Sequence, residues 1–276
     1  MRTLWAALLV AGATGMAAHA ETNLQKGKRI VDEAVAALGG QAFLSMQNRI
    51  ETGRIYSSYN DKVSGMAVDV LYTAYLPRPD PPEPAFLGVR VRDARGRKAE
   101  DIVLKKQDDI ILYADGTGYE VTFRGARPLA DTVINQFKIG TLHNIFYILR
   151  QRLGEPGIVF DSRGSDFFEN RPVEIVDITD ANNDTVTVDF DQLNKLPVRQ
   201  LYYRRDPIDN SKLEEVSLFN KYRDVGGGVM WPFAIRSERN GEKILERYLE
   251  TVEINQNLKD SLFILPPNLK ILRKDK

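Results

Sequence analysis

The sequence predicts a mainly β protein with added helix, built on a large curved antiparallel sheet, a barrel or a half-barrel. Three observations predict it. From Arg49 onward about ten stretches alternate large and polar residues, and short turn-forming groups rather than helices separate them. A helical stripe precedes the first of these stretches. A single amphipathic interruption, residues 128–153, breaks the series near its middle.

The chain opens "MRTLWAALLVAGATGMAAHAETNLQ". Arg2 supplies a positive start, Leu4 to Ala18 form a short apolar run containing Gly12 and Gly15, and Ala18-His19-Ala20 has the small-x-small form of a cleavage site. This predicts a secretory signal peptide over residues 1–20, cut after Ala20, with residues 21–276 exported as a single domain. The run is too short to span a bilayer. With no cysteine in the chain there is no disulfide and no lipobox, so the expected product is a free periplasmic protein without a lipid anchor.

From Asn23 the helical stripe runs through Gly27, Ile30, Val31, Ala34, Val35 and Leu38, and Gly39-Gly40 stops it. A short turn, "QAFLSMQN", leads into "RIETGRIYSS". The expected strands continue with "GMAVDVLYTAYL", "KAEDIVLKKQ" and "DIILYADGTGYEVTF". After the interruption come "RPVEIVDIT", "TVTVDF", "LPVRQLYYRR", "LEEVSLFNKYRDV", "VMWPFAIRSE" and "KILERYLETVEIN". Asp115-Gly116, Asn182-Asn183-Asp184, Asp209-Asn210 and Asn240-Gly241 punctuate them as hairpin turns. The Pro-rich "LPRPDPPEPAFLG" at residues 76–88 reads as a loop, at most a flap at the sheet edge.

The interruption, "PLADTVINQFKIGTLHNIFYILRQRL", carries Ile134, Phe137, Leu142, Ile145, Phe146 and Leu149 at helical spacing. An amphipathic helix in a β chain must bury its apolar face, and the inside of the curved sheet is the available place.

Composition excludes several functions. Lys+Arg and Asp+Glu number 38 each, so there is no basic excess to hold nucleic acid. Once His19 leaves with the leader, His143 is the sole histidine, which removes Cys/His zinc sites and Cys-His pairs. His143 reads as a partly buried helix residue rather than a general base. "DANNDTVTVDFD" begins like a calcium loop but has Thr185 where glycine is needed and Asp191 where glutamate should be. "DGTG" lies between strands, so no helix N-terminus follows to hold a phosphate, and no GxSxG elbow is present. No cofactor or metal is expected, and no enzymatic activity.

What remains is an apolar, aromatic sheet face. Val186, Val188 and Phe190 alternate, as do Val216, Leu218 and Tyr222, and then Trp231, Phe233 and Ile235. These residues form either an ordinary core or the wall of a ligand cavity.

Four stretches give the chain a resemblance to a known family. They are "IVDEAVAALGGQAFLSMQNRIETGRI", "IILYADGTGYEVTF", "VTVDFDQLNKLPVRQLYY" and "YRDVGGGVMWPFAIRSERNGEKILERYLETVEINQNLKDSLFILP". In order and in loose motif they resemble the LolA-like periplasmic lipoprotein-sorting carriers and their lipid-binding relatives. The resemblance implies an incomplete antiparallel barrel of about ten to eleven strands, with an N-terminal helix and a helical plug or lid, here residues 128–153. It also implies a monomeric carrier of lipid or acylated ligands, lipoproteins among them, working with envelope membrane proteins as donor and acceptor. The family's lid arginine has two candidates here, Arg90 and Arg92, in a "RVRDARGRK" region that a minimal carrier lacks. Two other readings stand beside the carrier. One is a structural, interaction or lipid-sensing module whose cavity is filled by its own helix. The other is a carboxylate-dependent glycan hydrolase, which needs two acids about 5–9 Å apart in a polar cleft.

Overall fold

A computed structural model describes residues 21–98 and 109–274. The expected leader, with His19, and nearly all of the expected strand "KAEDIVLKKQ" lie outside the described residues. One open antiparallel sheet of 13 strands organises the chain, in the order β6-β5-β4-β3-β2-β1-β13-β12-β11-β10-β9-β8-β7. The first six are β1 (Asn48–Tyr59), β2 (Lys62–Tyr75), β3 (Val89–Gly96), β4 (Asp109–Ala114), β5 (Thr117–Thr122) and β6 (Gly125–Pro128). The rest are β7 (Val159–Phe168), β8 (Arg171–Thr179), β9 (Thr185–Asp191), β10 (Pro197–Arg205), β11 (Lys212–Asp224), β12 (Met230–Arg239) and β13 (Glu242–Ile254).

Two meanders, β1–β6 and β7–β13, are thus joined by a single long-range pairing of β1 with β13. The two edges of the sheet, β6 and β7, are consecutive in the chain. The segment between them must therefore cross from one edge to the other.

The sheet has more strands than the ten to eleven expected. The additional ones have physical reasons to escape a hydrophobic pattern. β3 contains Arg90, Arg92, Asp93 and Arg95, so charge masks its alternation. β6 has only four residues and ends on Pro128, as a short edge strand does. β7 is the other edge, largely polar, with a register shift between Ser162 and Gly164.

Turn chemistry follows the sequence. The β4–β5 turn places Asp115 and Gly116 at φ 51° and 78°, and the β12–β13 turn places Asn240 and Gly241 at 51° and 79°. Both match the right-handed twist of their hairpins. In the failed calcium loop, Asp180 Oδ1 accepts hydrogen bonds from the backbone N–H groups of Asn182 and Asp184, which makes it an Asx-type hairpin turn. No cluster of metal-ligating side chains occurs among the described residues.

Helix α1 (Asn23–Ala37) begins with a capping box in which Thr22 and Gln25 satisfy each other's backbone donors. It packs on β7 so closely that a Cβ at Gly27 would stand 2.5 Å from the Phe160 carbonyl oxygen. Gly39, at φ 119°, ends the helix where a side chain would meet the Gly228–Val229 backbone at 2.9 Å. Helix α2 (Gln41–Leu44) delivers Phe43 into the core.

The expected helix over residues 128–153 is two pieces rather than one. Pro128 belongs to β6, and α3 (Asp131–Leu142) stops at His143, whose Nδ1 lies 2.7 Å from the Ile139 carbonyl oxygen. Asn144 then caps a new helix, accepting a hydrogen bond from the Tyr147 N–H. This helix, α4 (Ile145–Tyr147), runs directly into a π-helical turn, Ile148–Arg152. The π turn sits where Arg150 and Arg152 must reach buried partners. Arg150 Nε donates to the Met46 carbonyl, and Arg152 bonds Glu155, Asp180 and the Leu142 carbonyl.

The C-terminal segment covers the back of the sheet. Phe263 is buried, Arg92 donates to the Leu262 carbonyl, and Ala126 of the edge strand β6 exchanges backbone hydrogen bonds with Lys270 and Leu272. The tail through residue 274 is therefore held along an edge.

Candidate functional site

Strand parity selects what faces inward. On β1 this is Arg49 and Glu51, on β2 Leu71, Thr73 and Tyr75, and on β3 Val89, Val91, Asp93 and Arg95. With residues of β4, β11, β12 and β13 they line one cavity of about 650 Å³. Laid flat, β4 and β11 would be six spacings of about 4.8 Å apart, or about 29 Å. Sharing one cavity requires the sheet to curl around it.

The roof is the connection between the two edges. Phe137 of α3 stacks on Tyr113 of β4, ring centroids 3.8 Å apart and planes within 2°. Ile134 lies against Gly118 of β5, and Leu142 packs with Val89 and Tyr147. Phe146 of α4 meets Trp231 at 4.7 Å and Phe219 at 4.9 Å, closing the inner wall. Tyr147 accepts from the Gly88 N–H and donates to the Phe86 carbonyl, fastening the Pro-rich loop to the roof. Burial pushes the Tyr147 hydroxyl up to about 12.

The floor combines aromatic and charged groups. Trp231 Nε1 donates to Glu51 Oε1 at 2.6 Å, and Arg49 Nε lies 3.1 Å from the same oxygen. The Arg49 guanidinium stands 4.1 Å above the Trp231 ring and donates to the Tyr75 hydroxyl. The Trp231 ring faces the cavity, while its N–H is satisfied by a carboxylate.

Farther along the strands the cavity becomes charged. Arg247 of β13 pairs with Asp69 of β2 at 2.6 Å, and Arg95 pairs with Asp93 on β3 at 2.6 Å. Asp109 of β4 is the register partner of Arg95. Burial pushes the Asp69 carboxyl up to about 6 against the pull of Arg247, and burial, then Glu120, raises Asp109.

Of the side chains singled out from the sequence, the structure brings Trp231, Ile235, Phe137 and Phe146 to the cavity. Val186, Val188, Phe190, Phe233, Ile145 and Leu149 sit in the main hydrophobic core with α1 and α2, and line no cavity there. Tyr222 packs beside Phe146 and donates to the Pro197 carbonyl. Val216 and Leu218 lie on the opposite face, paired with Glu238 and Arg236, because Ser217 and Phe219 are the inward residues of β11. The sequence assigned β11 one face from Val216 through Tyr222, but Lys221, at φ 56°, breaks its extended backbone between Leu218 and Tyr222, while Asn220 stays paired with Ala234 and Tyr222 with Pro232. Arg90 pairs with Asp115 and Asp260, and neither Arg90 nor Arg92 lines the cavity.

Apolar alternation does not reveal the charged lining, Arg49, Glu51, Asp93, Arg95 and Arg247. Continuing that alternation through the charged residues of "RIETG" and "RVRDARG" would have placed most of it. No helix among the described residues is long and apolar enough to cross a membrane.

Comparison with known proteins gives the fold and little more. No family model and no curated protein matches this sequence. Among solved structures, a domain assigned to outer membrane lipoprotein sorting from Vibrio parahaemolyticus is similar with TM-score 0.55 and 12% identity, covering 87% of this chain and 97% of that one. A DUF1329 family protein from Desulfovibrio piger gives TM-score 0.56 and 12% identity over 86% and 97% of the two chains. A LolA-superfamily protein from Nitrosomonas europaea gives 0.52 and 11% over 86% and 97%. The fold is LolA-like.

Proposed function

We propose that this chain is an exported, non-enzymatic carrier or binding protein for lipid or acylated ligands, lipoproteins included, working as a monomer in a bacterial envelope. The observation that carries the reading is the cavity of about 650 Å³ roofed by Phe137 and Phe146 and walled by Leu71, Val89, Val91 and Ile111. That volume is in the range of small-molecule sites. Each methylene moved from water into it contributes about 0.8 kcal/mol, so an acyl chain binds there without a metal or a catalytic side chain. The leader at residues 1–20 would deliver the protein to the periplasm, where envelope membrane proteins would act as donor and acceptor.

Mass spectrometry of an organic extract from protein exported into a bacterial periplasm tests this. A near-stoichiometric lipid that Phe146→Trp displaces is the expected result. Absence of lipid, together with no response of the wild type to added acylated ligands, overturns it.

A second reading has one observation in its favour. The face of β7–β10 is filled by the protein's own α1 and α4, as in a module that binds an envelope protein rather than a lipid. That reading predicts a lipid-free extract and a Phe146→Trp variant with unaltered partner binding.

A further inference from the structure

The cavity has two chemically distinct ends. Beneath Phe137 and Phe146 it is apolar and aromatic. At the other end, carboxylates are short of partners. Asp93 is 8% exposed and lines the cavity, and its Oδ1 accepts no hydrogen bond among the described residues. Asp69, 1% exposed, lies beside it with both oxygens outside hydrogen-bond alignment, although Arg247 stands at 2.6 Å. Asp109 Oδ1 is likewise unmatched. A buried acceptor without a donor costs free energy, and such a cost is retained where a ligand relieves it.

The charges point the same way. Among the described residues, the cations beside Asp69, Asp93 and Asp109 are Arg95 and Arg247, and each already holds one of these carboxylates. Counted over the described residues, the cluster is one positive charge short. The Nε groups of Arg49 and Arg247 are also unmatched, but both belong to guanidinium groups in ion pairs. Burial, with Asp93 and Glu51 close by, outweighs Arg247 and Arg95 and pushes Asp69 up to about 6.

We propose that the Asp69–Asp93–Asp109 end of the cavity is a head-group subsite for a primary ammonium, so that the preferred ligand is an amphiphile with a cationic, hydrogen-donating head and an apolar chain. This rests on the cavity reading above and narrows it. An ammonium offers three donors to the free carboxylate oxygens and supplies the missing charge, while its chain runs under the α3 roof. A carboxylate or phosphate head without an amine would meet unpaired acids in a desolvated site.

Titration calorimetry of the protein made from its full-length chain, near neutral pH and below micellar concentrations, tests the assignment with three probes of equal chain length. Dodecylammonium is expected to bind at least about tenfold tighter than dodecanol, and laurate weakest of the three. In Asp93→Asn, dodecylammonium should fall to the level of dodecanol, with dodecanol itself unchanged. Ethanolamine-phospholipid and phosphatidylglycerol vesicles, run in parallel, separate a membrane lipid from a free amine as the source of the head. Uptake of the ethanolamine lipid or of the free amine alone both support the subsite. Equal binding of dodecanol and dodecylammonium by the wild type overturns the head-group assignment and leaves the cavity reading standing. Binding of none of the three overturns both. Because the wild-type comparison needs no variant, an unstable Asp93→Asn would not rescue the proposal.

Discussion

The two halves of the inward face are built from the same antiparallel ladder and end differently. On β7 to β10, Val176, Val186, Val188 and Phe190 meet Ile30, Val31, Leu38 and Phe43 of the N-terminal helices and Ile145, Ile148 and Leu149 of the connection. That half is a close-packed core. On β1 to β4 the inward residues include Arg49, Glu51, Asp69, Asp93 and Arg95, and α3 with Phe146 and Tyr147 of α4 roofs the space above them. Apolar side chains are complemented by any apolar helix, whereas inward charges exclude one and hold space open. The difference teaches that the cavity exists because of its charges as much as its aromatic walls.

This comparison can be broken from the filled side first. Phe190→Ala, in a residue 1% exposed, should cost about 3–5 kcal/mol of unfolding free energy in urea titration. A loss under about 1 kcal/mol would mean that this half is not a packed core. Next in size, Gly27→Ala forces a Cβ against the Phe160 backbone at 2.5 Å and should cost about 1–3 kcal/mol by the same measurement. A neutral outcome would show that α1 can lift from β7.

On the open side the effects depend on conditions. Asp69 titrates near 6 in the fold against an ordinary 3.8, so the folded protein binds that proton more tightly than the unfolded chain. Its ionisation therefore costs stability as pH rises through this window, and the cost is absent below it. Asp69→Asn removes the titration. Relative to wild type, the variant should gain up to about 3 kcal/mol between the acid and neutral ends of the window, read from paired melts. A pH-independent difference would place Asp69 in a more solvated setting.

Smallest in stability is Phe137→Ala, which removes a stacked ring from a half-buried roof position and should cost about 0.5–1.5 kcal/mol. Its informative readout is different. Acrylamide should quench Trp231 more efficiently in the variant, and unchanged quenching would mean that α3 does not guard the cavity.

Much of the fold was legible because its signals are local. Asp115-Gly116 and Asn240-Gly241 fixed two hairpins, Gly39-Gly40 fixed the end of α1, and the period of two fixed most strands. β3 was not legible, since its charges hide a regular alternation, and neither were β6 and β7, whose edge positions permit proline, polar residues and a bulge. The break at His143–Asn144 was missed because the apolar spacing continues through it, while the cap that interrupts the helix is a single side-chain contact.

The sequence by itself determined the antiparallel order, the aromatic face of β12 and the amphipathic connection, because each depends on residues within a few positions of one another. Only the tertiary structure decided which apolar stretches are core and which are cavity wall. That division depends on the pairing of β1 with β13, a contact about two hundred positions apart in the chain, which brings Arg49 and Glu51 beneath Trp231. It depends also on the facing of β11, which turns Val216 and Leu218 outward and Ser217 and Phe219 in. A period-two pattern says that alternate residues share a face, and only the partner across the sheet says which face that is.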